Sequence, residues 1–404
     1  MRYILIVMPL PFRTLLLYLG VLGIVGAGIF MFVPTLPIPP QASEQAETSQ
    51  TANVISTEEP EIPPSVEVTR EEPVAEPVPP PAVRPPDPTP APPASPGAES
   101  QDVAVVARIA DPYPFPPLPF QTINERARAA LVNILCMSGN EALRPISGSG
   151  VIIDPRGVIL TNAHVAQYVL LSQSSEIDLS CVVRSGAPAR PMWSVEVLYI
   201  PTVWVEKHAA DITSSNPTGT GEHDYALLRI TGSPDARVPN VSVGNYPSIP
   251  FDVRDAISFP GDPTLVMAYP AEFVGSAATQ FDLHPVSSIA SVSELLTFHA
   301  KTVDLVSFKG AAEAQSGSSG GPIVNVWGYV TGIITTTSDG LTTAERELRA
   351  LTTSYIDRDL ASQTGKGLAA TLVGDLETAA DDFQAKHAPA LIKLLIDQIA
   401  KRLL

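Results

Sequence analysis

The hydrophobic pattern changes character several times along the chain. Thr14 to Val33 is a run of twenty residues without a charge, long enough to cross a bilayer as one helix. From Pro34 to about Pro119 the apolar residues follow neither a helical nor a strand period. Pro, Glu, Ala, Val and Ser alternate there and bury too little to offset their ordering entropy. The stretch predicts an extended tether, partly polyproline II, with Ala104 to Ala110 a short ordered patch. Asn124 to Asn133 reads as a short helix entering a strand, Leu131 to Cys136. From there to Thr337, short alternating or wholly apolar runs are separated by Gly, Pro, Asn and Ser, the pattern of an all-β barrel or sandwich. One hairpin is explicit: Gly150 to Ile153 and Val158 to Leu160 flank Asp154-Pro155-Arg156-Gly157, with Pro second and Gly fourth as a type I turn favours. Val205 to Glu222, polar and Gly-rich, reads as a surface loop. The last expected strand is Ala350 to Tyr355. Beyond it the period becomes helical: Leu368, Leu372, Leu376, Ala380 and Phe383 share a face, and Ile392, Leu395, Ile396, Ile399 and Leu403 share another after Pro389. The chain thus divides into an amino terminus and apolar span (1–33), a Pro-rich linker (34–119), a β domain (120–357) and a helical extension (358–404) expected to pack on it.

Charge sharpens this division. The net charge is -17, and much of it falls in the linker, where thirteen acidic residues face three arginines. An acidic chain without a basic stripe has no electrostatic reason to bind nucleic acid. Arg2 and Arg13 precede the apolar span and no basic residue follows it until Arg70. The positive-inside rule therefore puts the amino terminus in the cytoplasm and the rest outside, as a single-pass signal anchor of the cell membrane. A cleaved signal peptide is the rival reading, but the run is long for one and no clear small-x-small site follows. Outside the cytoplasm a disulfide between Cys136 and Cys181 becomes chemically permitted; two buried thiols is the alternative.

The candidate chemistry lies in three strings. Gly317-Ser318-Ser319-Gly320-Gly321-Pro322 holds a serine in a glycine-rich turn, whose glycines let the amides of Gly317 and Ser319 both point at one oxyanion. His164 lies in Thr161-Asn162-Ala163-His164-Val165, directly after the hairpin. Asp224 begins Asp224-Tyr-Ala-Leu-Leu-Arg-Ile230, a half-buried strand. Each alone fits an ordinary turn, a core histidine or a strand start. Together they supply a nucleophile, a base and a carboxylate to orient the base.

In this order, with Ser147 to Val165, Val266 to Pro270 and Gly317 to Pro322 as supporting strings, the chain resembles the trypsin-like (chymotrypsin-fold) serine proteases, and most closely their bacterial Deg/HtrA-type branch, over Asn124 to Asp357. The resemblance implies two six-stranded antiparallel barrels with a cleft between them. It also implies His164 as general base, Asp224 as its partner, Ser319 as nucleophile, an oxyanion hole at Gly317 and Ser319, and hydrolysis of peptide bonds in polypeptide substrates with no metal or organic cofactor. Ser318 departs from the family, whose digestive members carry there an aspartate that pairs with a newly freed amino terminus; that activation route is not expected. Glu313, six residues before Ser319, stands where trypsin has its specificity acid, and Thr335, Thr336 and Thr337 would line the same pocket. A PDZ domain, frequent in Deg/HtrA proteins, has no room after the β domain. The sequence is silent on oligomeric state. The competing function is a non-catalytic protease-like module that binds or scaffolds in the cell envelope. An esterase of another fold would need Gly-x-Ser-x-Gly and the histidine last, which is not the order here.

Overall fold

The computed structural model describes residues 107–403 except 140–142, 215–219, 236–244, 273–275, 300 and 338–346. The charge-free run and most of the Pro-rich linker lie outside the described residues. Among the described residues no helix is long and apolar enough to cross a membrane.

Among the described residues twelve strands form two closed antiparallel barrels. The first holds β1 (Leu131–Ser138), β2 (Ile146–Asp154), β3 (Val158–Thr161), β4 (Leu179–Ser185), β5 (Arg190–Tyr199) and β6 (Ala226–Gly232). The second holds β7 (Pro263–Ala268), β8 (Val286–Leu296), β9 (Leu305–Lys309), β10 (Pro322–Val324), β11 (Val330–Thr337) and β12 (Glu347–Thr352). Around the first barrel the order is β1-β2-β3-β6-β5-β4, and around the second it is the same pattern, β7-β8-β9-β12-β11-β10. The expected β2–β3 hairpin forms, with Val151 opposite Leu160. Gly157 closes its turn at φ +89, where a side chain would be strained, donating its N–H to the Asp154 carbonyl at 2.9 Å. Cys136 and Cys181, register partners on β1 and β4, are joined by a disulfide with an S–S distance of 2.06 Å.

Four boundaries differ from the sequence reading, each for a local reason. The first helix, α1 (Phe120–Ala130), starts before Asn124 because the Pro119 carbonyl already accepts from the Ile123 amide, and it ends where β1 takes over at Leu131. Upstream of it, residues 107–119 are packed against the second barrel, so the ordered chain begins before Gln121. Tyr113 stacks on Tyr329 with centroids 4.4 Å apart, donates its hydroxyl to Asp252 and lies under the Arg254 guanidinium. The supposed loop after Val205 is helical as far as residue 213: α2 (Ala163–Leu171) is followed by α3 (Thr202–His208) and a 3-10 turn, Ala209–Thr213. Val205, Ala209 and Ile212 are buried there at helical spacing. Finally, Thr352 ends β12 by capping a helix, its hydroxyl accepting from the Tyr355 amide, so Tyr355 lies in a helix and not in a strand.

After α4 (Ser276–Phe281), that capped helix is α5 (Thr353–Thr364), ended by Gly365 at φ +79. α6 (Leu368–Thr371), α7 (Leu376–Lys386) and α8 (Ala388–Leu403) follow. The apolar face expected from Leu368 to Phe383 is split at Gly374, whose φ of +101 ends one helix before Asp375 caps the next. Leu376, Ala380, Phe383, Leu391, Leu395 and Ile399 join the core of the first barrel. Each such large side chain contributes about 1.5–3 kcal/mol by leaving water. The extension therefore packs mainly on the first barrel, with α7 against β5 and the Gln384 amide donating to the Val197 carbonyl at 2.8 Å.

Candidate active site

His164 is the second residue of α2, which begins directly after β3, so the strand end fixes where the imidazole starts. Asp224 closes a turn from Gly221, its N–H donating to the Gly221 carbonyl at 3.1 Å, just before β6. Since β3 and β6 are paired, the two residues meet. Asp224 Oδ1 accepts from the His164 amide at 3.0 Å and Oδ2 lies 2.8 Å from His164 Nδ1. Asn162 adds a bond from its side-chain amide to the Asp224 carbonyl at 2.8 Å. Burial by itself would lower the pKa of His164, but the charge of Asp224 and its hydrogen bond outweigh it and raise the value. Burial likewise opposes the Asp224 anion, and the imidazolium with the donated hydrogen bonds holds its carboxyl below the usual range. A carboxylate at Nδ1 keeps the proton there and leaves Nε2 of the neutral ring free to accept one.

Ser319 sits in the turn before β10. Gly317 has φ +92, and a Cβ there would lie 2.8 Å from the Tyr269 carbonyl oxygen, so only glycine fits. The Ser316 carbonyl is turned away to accept from the Ala271 amide at 2.8 Å, and the Gly320 amide donates to the Ile334 carbonyl at 2.8 Å. Among the described residues, the Gly317 and Ser319 amides donate to no acceptor. The two barrels meet at this turn: the Ser149 amide of β2 donates to the Ser319 carbonyl at 2.7 Å. Ser319 is half-buried, and no hydrogen bond joins its hydroxyl to His164.

The residues assigned to a specificity pocket separate. Thr335 is buried and donates its hydroxyl to Asp224 Oδ2 at 2.8 Å, so its side chain serves the carboxylate. The side chains of Thr336 and Thr337 lie outside the described residues. Glu313 is fully buried; its Oε2 accepts from the Ser288 hydroxyl at 2.5 Å, and burial holds its carboxyl above the ordinary range. Ser318 is fully buried and its hydroxyl has no partner. The other described histidines are engaged elsewhere: His208 with Asp211 and His223 with Asp359, each at 2.9 Å, His284 with Asp282 at 3.2 Å, His299 with Glu222 at 3.4 Å, and His387 stacked on Phe383. Sequence reading missed Ser149 and the role of Thr335. The Ser147-Gly-Ser-Gly150 string was visible, but nothing in it tells which atoms its middle serine reaches.

No curated protein matches the chain. Residues 148–333 match the family model of the trypsin-like peptidase domain, a span from β2 into β11 that includes His164, Asp224 and Ser319. That match and the two closed six-stranded barrels of identical connectivity around it fit a chymotrypsin-type fold.

Proposed function

We propose that the chain is a membrane-anchored serine endopeptidase of the Deg/HtrA type whose catalytic domain works outside the cytoplasm. In this reading Ser319 Oγ attacks the peptide carbonyl while His164 Nε2 takes its proton. The imidazolium so formed is stabilised by Asp224 and then protonates the leaving amine, and water releases the acyl group by the same route in reverse. The Gly317 and Ser319 amides receive the oxyanion, each donor of this kind being worth about 3 kcal/mol. The observation that carries the reading is the pairing of His164 with a buried Asp224, together with a Ser319 turn whose Gly317 and Ser319 amides are unengaged. The extracytoplasmic placement draws support from the arginines preceding the apolar run and from the Cys136–Cys181 disulfide, which reducing compartments disfavour.

A tagged fluorophosphonate tests the chemistry: it should label the full-length protein in detergent at Ser319 alone, and not at all after Ser319→Ala. A well-folded protein that stays unlabelled would instead be a binding module. In sealed right-side-out vesicles, added protease should digest the domain; protection would refute the topology.

A further inference from the structure

The turn carrying Ser319 has to be held in shape, and the side chain just before the nucleophile takes no part in it. Ser318 is fully buried and neutral, and its hydroxyl touches no partner. The turn's own barrel holds it through the Ser316 carbonyl, which accepts from Ala271, and the Gly320 amide, which donates to Ile334, and the opposite barrel adds a side chain. Ser149, fully buried on β2, points its hydroxyl into the back of the turn, donating to the Gly317 carbonyl at 2.8 Å and accepting from the Tyr269 amide at 2.9 Å. Its N–H donates to the Ser319 carbonyl at 2.7 Å, and its own carbonyl accepts from the Thr161 hydroxyl at 2.7 Å, three residues before His164. Every polar group of this residue is thus engaged between the histidine segment and the serine turn.

The neighbouring glycines have the geometry such a contact requires. A Cβ on Gly320 would lie 2.1 Å from the Ser149 carbonyl oxygen and 2.4 Å from the Thr161 hydroxyl. One on Gly148 would meet Val165 at 2.7 Å, and one on Gly150 would meet Ile159 at 2.8 Å. The turn therefore lies hard against β2 at Gly320, while Gly148 and Gly150 let β2 itself pack close to α2 and β3.

Ser149 thus pins two alternate peptide planes of the turn, Gly317 C=O with Ser318 N–H and Ser319 C=O with Gly320 N–H. The planes that carry the Gly317 and Ser319 N–H groups are their immediate neighbours, with the Ser316 carbonyl on Ala271 and the Ser318 carbonyl on Gly321, and those two N–H groups stay without an acceptor. We propose that Ser149 is the positioning residue of this active site, holding the oxyanion turn in its working shape from across the cleft. The inference rests on the reading of Ser319 as nucleophile. It assigns to a neutral hydroxyl from the first barrel the task that, in digestive relatives, an aspartate at the position of Ser318 performs.

The test is steady-state kinetics of the full-length protein in detergent, per molecule folded by near-UV circular dichroism, with a peptide substrate and a peptide aldehyde as transition-state mimic. Ser149→Ala should lower kcat about tenfold to hundredfold, the scale expected when a reacting group is misplaced by about an ångström. KM should change little and the aldehyde should bind weaker by the same factor. Ser149→Cys, of similar volume and a weaker donor, should fall between Ser149→Ala and the unaltered protein, and it carries the test if Ser149→Ala does not fold. Ser318→Ala should stay within about twofold. Unchanged kcat and aldehyde affinity in folded Ser149→Ala or Ser149→Cys would overturn the proposal, as would a loss confined to thermal stability. Ser319→Ala separates the two readings: if it retains hydrolysis, the nucleophile assignment itself has failed, whatever Ser149 does.

Discussion

The two barrels are built alike and used differently. Both follow one strand order, yet in the first the proposed base and carboxylate sit beside the paired strands β3 and β6, whereas in the second the proposed nucleophile sits in the turn entering β10. The first barrel is covered by α2, α7 and α8, and its core runs continuously into those helices. The second has part of its interior as a smaller cluster of Val, Ala and Ile around Phe308, and its β8 is half-exposed along most of its length. The turn of the less covered barrel adds to its own bonds an anchor from the other, Ser149. The borrowing is mutual, because Thr335 of the second barrel donates to Asp224 of the first. Each half of the site is finished by a hydroxyl from the other.

The largest expected effect tests whether the two halves act as one unit. His164→Ala in the first barrel and Ser319→Ala in the second should each cut kcat by several orders of magnitude, with secondary structure unchanged by circular dichroism. The double substitution should be scarcely worse than either single, since residues of one machine are not additive. Asp224→Asn should cost about 10⁴, through the wrong imidazole tautomer. If the double substitution instead multiplied the two losses, the barrels would be contributing separately.

A smaller effect probes the reverse crossing. Only neutral imidazole accepts the serine proton, so activity should rise with pH, and because Asp224 raises the pKa of His164 the rising limb should lie above the ordinary value of 6.5. Thr335→Val removes one hydrogen bond to a buried carboxylate, an interaction of about 1.5–3 kcal/mol. It should lower kcat about tenfold and move the limb further up, because a carboxylate stripped of that donor pairs more strongly with the imidazolium. A pH profile that stayed flat from 5 to 8 would remove His164 as the base.

The smallest effect concerns stability. Tyr113→Ala strips the segment 107–119 of its stack on Tyr329 and its bond to Asp252. It should lower Tm by several degrees while leaving kcat of the folded protein unchanged. A loss of kcat at constant Tm would mean that the segment reaches the cleft.

What the sequence disclosed follows from how far apart the interacting residues lie. The strings around His164, Asp224 and Ser319 are local, and strand alternation and turn glycines announced most of the β elements. The helix at 202–208 was hidden by the polar, Gly-rich stretch after it, although Val205, Ala209 and Ile212 already had helical spacing. Thr352 to Tyr355 looked like strand because a capping threonine and a β-branched run share the same residue types. Ser149 and Thr335 were out of reach for a different reason. Their partners lie 168 and 111 residues away, and only barrel closure brings them together.

The order of these pieces along the chain also bears on timing during synthesis. His164 and Asp224 are translated well before Ser319, and the nucleophile turn is bonded to Ile334, which pairs with Ala350 at the far end of the second barrel. In the proposed reading a ribosome-bound chain therefore has no working site until its last strand is in place, and the first barrel is not covered until α7 and α8 have followed. Cleavage capacity would arrive in a single late step, with latency supplied by chain order alone, and a truncated chain ending at Val324 should take up no fluorophosphonate even if its first barrel is folded.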